Sequence, residues 1–160
     1  MDDTTIQSLE RLFYEKIMLY NDLLHSLKRE RESLIDIDLE KLWQVSRDKD
    51  EICRRLKSLR QEIISIICTE TDQDHVTLGR IPGLIPREKR AQFEELTRTL
   101  IGLKREVEVL RKENMSYIDD SLRFLDEMLS IIAGESKSNI YNEKCHLRKP
   151  GANIFLCREA

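Results

Sequence analysis

The chain predicts an all-α fold: an extended antiparallel bundle of three or four long helices with coiled-coil-like seams, followed by a flexible C-terminal tail. Three observations carry this reading. Five glycines and three prolines in 160 residues leave long stretches of uninterrupted helix formers. Apolar residues recur three and four apart over most of the chain, which is the period of a helix face. With 40% apolar and 36% charged residues, the chain is short of core and rich in solvated surface, as narrow helical seams require. Residues 1–134 are expected to form one helical domain and 135–160 the tail.

The first helix is expected over about 3–35. Asp2, Asp3 or Thr4 can cap it, and Ile6, Leu9, Phe13, Ile17, Tyr20, Leu24, Leu27 and Leu34 fall on one stripe. Arg31 interrupts that stripe and reads as a rim residue with its guanidinium in water. The Lys28 to Glu32 charge run reads as a solvated face. At Asp36-Ile37-Asp38 the chain turns tightly, and a second helix over about 38–68 returns alongside the first. Its seam runs through Leu39, Leu42, Val45, Lys49, Ile52, Leu56, Leu59, Ile63 and Ile66, with Trp43 just off it as a partly buried packing residue or, as the sharper alternative, a partner contact. From 69 to 86 the pattern lapses into Thr, Asp and Gln, then Gly79, Pro82, Gly83 and Pro86, which reads as a long connecting loop.

A third helix over about 87–133 organises the rest. Its seam begins at Phe93, Leu96, Leu100, Leu103, Val107 and Leu110, then takes two steps of four through Asn114 to Ile118. Consecutive four-residue steps form a stutter, which locally unwinds a supercoil and turns the apolar face toward a different neighbour. Asn114 sits at this joint, where a buried Asn fixes register at a cost in stability. At ~1.5 Å per residue the third helix is roughly 70 Å long and the first two roughly 45 to 50 Å each, so its end is expected to outrun them. That end carries Ile118, Leu122, Leu125, Met128, Leu129 and Ile132, with Phe124 and Ile131 beside them, and Gly134 is placed to cap it. An uncovered apolar strip of this kind marks a partner-binding surface.

Other functions find little support. The net charge of −3, with both signs interspersed, supplies no basic stripe for nucleic acid. No apolar run approaches the ~20 residues of a membrane span, so an integral membrane protein is not expected. Cys53, Cys68, Cys145 and Cys157 contain no CxxC pair and suit free thiols in a reducing cytoplasm. Cys145, His146 and Cys157 match no zinc signature, and His25 and His75 read as isolated surface residues. No cofactor, metal or catalytic residue is therefore expected, and the protein reads as a non-enzyme. The tail holds five basic and three acidic residues and two apolar clusters, Ile140-Tyr141 and Ile154-Phe155-Leu156, a composition that orders on meeting a partner.

The Asp38-Leu39-Glu40-Lys41-Leu42 stretch, Leu110-Arg111-Lys112-Glu113-Asn114, Ser121-Leu122-Arg123-Phe124-Leu125 and the tail Tyr141 together resemble the FlgN family of flagellar export chaperones. The resemblance implies a bacterial cytosolic chaperone of type III export that binds the hook-filament junction proteins, hook-associated proteins 1 and 3. It implies that residues 118–132 and the tail bind this cargo, and that Tyr141 docks on the export gate. In that family a Gly commonly follows the Tyr, whereas Asn142-Glu143-Lys144-Cys145 follows here. The alternative is a structural coiled-coil adaptor or a homo-oligomer, such as a homodimer, whose C-terminal seam is filled by its own copy.

Overall fold

The structure, a computed structural model, describes residues 2–71 and 81–133. Among these residues the only regular structure is helix, with α1 (Asp3–Ile35), α2 (Leu39–Thr71), a single-turn α3 (Ile81–Leu84) and α4 (Arg87–Ile132). The expected 69–86 loop is therefore corrected at both ends: α2 continues to Thr71, and Ile81 to Leu84 close a helical turn. Glycine and proline hid that turn from a periodicity reading. What holds it is burial, because Ile81 and Ile85 join the core while Arg90 reaches back to the Gly83 and Ile85 carbonyls. The chain divides into two units, Met1–Asp119 and Asp120–Ala160.

In the first unit, α1 starts where the Asp2 carboxylate accepts the Thr5 amide at 2.8 Å. Thr5, through its side chain and then its amide, and after it the Thr4 hydroxyl, holds the Asp2 carboxyl at about 2. The depressed value means the cap is complete above 3.8, the ordinary carboxyl value, and is lost only as pH falls through about 2. At its other end α1 closes in a Schellman motif. The Asp38 amide donates to the Ser33 carbonyl at 2.9 Å, and the Ile37 amide to the Leu34 carbonyl at 3.4 Å. Asp38 then caps α2, accepting the Lys41 amide at 3.0 Å, so three residues reverse the chain.

The core of this unit combines α1, α2, α3 and the first turns of α4. Phe13 and Phe93 meet edge to face, with centroids 5.4 Å apart and planes at 72°. Around them pack Leu9, Leu12, Ile63, Ile67, Ile85 and Leu96. Burial on α1 is wider than the expected stripe, taking in Leu12, Lys16, Leu19 and Leu23, because α1 is covered by two neighbours rather than one. The Lys28 to Glu32 run also departs from a purely solvated face. Arg29 pairs with Asp48 at 3.2 Å, and the largely buried Glu30 pairs with Lys49, tying α1 to α2.

Ile37 occupies the left-handed region at φ 56, the C′ position that glycine usually fills, and it is 78% exposed. A β-branched side chain there costs about 1–2 kcal/mol and, this far into solvent, recovers little by packing. Ile37→Gly should therefore raise the unfolding free energy by about 1 kcal/mol, measured as a shift in the urea midpoint at constant slope.

Candidate functional site

In the second unit, the described residues are the last turns of α4 and Ala133. Leu, Met, Arg and Glu favour helix through this stretch, and α4 ends with the β-branched pair Ile131-Ile132. Arg123 and Asp120 pair one turn apart at 2.6 Å, and the Ala133 amide still donates to the Leu129 carbonyl at 2.8 Å. The side chains of Leu122, Leu125, Leu129 and Ile132 follow one another by three, four and three residues, so they form a single stripe. Phe124, Met128 and Ile131 lie beside it. All seven are exposed, from 42% for Met128 to 76% for Ile132. Asp119, Asp120, Asp126 and Glu127 against Arg123 make the flanks acidic. Such a surface can cover the apolar face of another helix; it offers no convergent titratable groups for chemistry.

Ile118 differs from the expectation and is half-buried. It lies in the first unit, where polar contacts secure α4 against α1. Asn114, 2% exposed, donates its side-chain amide to the Leu27 carbonyl and to the Glu30 carboxylate, both at 2.9 Å. Its own side-chain oxygen is buried with no hydrogen-bond donor among the described residues. Arg31 reaches the Glu113 carbonyl at 3.4 Å and places its guanidinium 5.1 Å from the Tyr117 ring. Arg31 thus lies at the rim, half-exposed, and in addition its long side chain crosses to α4.

A second exposed apolar group surrounds the α1 to α2 turn: Ile35, Ile37, Leu39 and Trp43. Trp43 is 69% exposed, which overturns its assignment as a partly buried packing residue, and Leu39 lies outside the α2 seam. The sequence signal was an Ile between two capping aspartates, a position that packs against nothing once the turn is this tight.

Tyr141, Gly134, His75, Cys145, His146 and Cys157 lie outside the described residues. Cys53 and His25 are exposed and Cys68 is half-buried. Among the described residues no three His, Cys, Asp or Glu converge as a metal site, and no helix is long and apolar enough to cross a membrane.

A family model described as FlgN protein matches residues 1–148 of the chain. No curated protein and no solved structure matches it.

The contacts of Asn114 generate a prediction with a definite sign. Asn114→Asp keeps the shape but sets a second carboxylate against Glu30, replacing a donor with a like charge. It should lower stability by at least about 2 kcal/mol at neutral pH. Much of the loss should return as the pH is lowered far enough for one of the two carboxyls to take a proton, since the protonated form again donates. Chemical denaturation across that pH range, compared with the parent, measures both.

Proposed function

Because the chain belongs to the FlgN family, a family of flagellar export chaperones and not of enzymes, we propose that it is a cytosolic chaperone of type III export that holds hook-associated proteins 1 and 3 soluble and delivers them to the export gate. The observation carrying this reading is the uncovered stripe of Leu122, Leu125, Leu129 and Ile132 with Met128 beside it. An amphipathic helix from the cargo laid along it would bury apolar surface on both partners. The acidic flanks call for lysine or arginine beside the cargo's own stripe, so complex formation should weaken modestly with salt. Ile118, half-buried, belongs at the inner edge of the proposed surface, and Asn114 acts as the joint that anchors α4 where the surface begins. Tyr141 is assigned to gate docking on the family pattern.

Burying one leucine is worth about 1.5–3 kcal/mol. Leu122→Ser/Leu125→Ser should therefore weaken cargo binding by about a hundredfold or more, with the melting temperature nearly unchanged because both side chains are already exposed. Calorimetric titration and thermal unfolding of the same variant test this. A large fall in melting temperature with affinity intact would place the stripe in the fold's own core. Light scattering of the free protein adds the competing outcome: a stable homodimer that dissociates in the same variant would assign the stripe to a second copy.

Tyr141→Ala should leave cargo affinity nearly intact while reducing export of the cargo in cells. Collapse of cargo binding in the purified variant would make Tyr141 a cargo anchor instead.

A further inference from the structure

Within the first unit, a cavity of about 320 Å³ opens between α1, α2, α3 and α4. Its apolar lining is formed by isoleucines of α2 and α3 with Leu100 and Ile101 of α4. Its polar lining is Lys16 and Tyr20 from α1, Arg60 from α2 and Lys104 from α4. Among the described residues no acidic group lines it.

Lys16 is the unusual member. It is 7% exposed, on a helix face otherwise made of Leu12, Leu19 and Leu23. Burial lowers its pKa, and the charges acting on it, Arg60 and Lys104, push in the same direction. A long lysine stem can lie along apolar surface with its ammonium at the edge, but that accounts for one cation and not for three helices each directing one to the same opening. Like charges brought together this way repel, screened by water at the exposed Arg60 and Lys104 but weighing on the buried Lys16, and a bound anion would offset them. The Tyr20 hydroxyl, whose ionisation burial also disfavours, remains available as a neutral hydrogen-bond donor.

We propose that this cavity binds a small amphiphilic anion, a single carboxylate-type head held by Lys16, Arg60, Lys104 and Tyr20 with a short hydrocarbon body against the isoleucine lining. The volume lies at the small end of the roughly 300–1,000 Å³ of ligand sites, and a mostly apolar lining with a few converging polar groups is their usual composition. The site is separate from the α4 stripe proposed for cargo and stands independently of that reading.

The test uses the full chain and three probes: octanoate, octan-1-ol as the tail without the charge, and inorganic phosphate as charge without the tail. Calorimetry should find octanoate binding one to one, at least about tenfold tighter than either control, a difference of about 1.4 kcal/mol. Isoleucine methyl NMR should move Ile63, Ile67 and Ile81 and leave Ile131 and Ile132 in place. Arg60→Gln and Lys104→Gln, at exposed positions, should each reduce octanoate affinity several-fold without changing that of octan-1-ol. Lys16→Met, which exchanges the buried cation for an apolar chain of similar volume, should abolish the preference for octanoate and raise the melting temperature of the free protein. Equal binding of octanoate and octan-1-ol, or shifts confined to Ile131 and Ile132, would overturn the proposal. So would octanoate affinity unchanged in both glutamine variants, a result that does not depend on the Lys16 variant folding.

Discussion

The arrangement depends on one polar junction, where Asn114 of α4 donates to the Leu27 carbonyl and the Glu30 carboxylate of α1 while Glu30 also pairs with Lys49 of α2. Leucine and isoleucine seams specify that helices pack but tolerate sliding by a turn at modest cost. A buried amide that must find two particular acceptors does not. Only one register of α4 against α1 satisfies it, and Arg31, reaching Glu113 and Tyr117 one turn away, fits the same register. The undonated Asn114 oxygen is the cost of the arrangement. Exposed pairs such as Arg29 with Asp48 add little beside it.

The junction also explains why the seam changes step where it does. Before it, Phe93, Leu96 and Leu100 are buried among α1, α2 and α3, whereas Leu103, Val107 and Leu110 are only half-covered. After it, Ile118 is half-buried and the apolar residues from Leu122 onward are exposed. Burial of the apolar residues falls along one continuous helix.

Much of this was legible in the sequence because long helices announce themselves twice, in period and in caps. Asp2 and Asp38 mark the starts of α1 and α2, and the three-and-four spacing identifies Phe13, Phe93 and Leu100 as core. Asn114 stood out because a lone amide in a leucine seam is rare. What escaped notice was polar in type but apolar in position. Lys16 reads as surface until two neighbouring helices cover its face, and Ser26 and Ser33 are buried because they are small enough to let backbones approach. Trp43 and Leu39 failed in the opposite sense, apolar in type yet exposed, since a helical hairpin leaves its turn uncovered. The α3 turn could not be read from Ile81-Pro82-Gly83-Leu84, whose helicity is imposed by the burial of Ile81 and Ile85. The residues proposed to contact cargo were visible as a stripe, but a single chain's sequence cannot distinguish a stripe that meets a partner from one that meets itself.

The single helix that carries both the core anchor at Phe93 and the open stripe at Leu122 has a further consequence in helix-coil terms. Helix formation is costly to start and cheap to extend, so the packed turns around Phe93 and Asn114 supply the nucleus and the stripe is helical by propagation from it. With little tertiary burial of its own, that stretch should open by fraying from its C-terminal end, at a free energy far below that of global unfolding. Amide hydrogen exchange would then rise residue by residue from Asn114 toward Ile132 rather than in one step. An occupant of the stripe would arrest this fraying, and protection spreading outward from the junction would report occupancy even where no side chain in the core had moved.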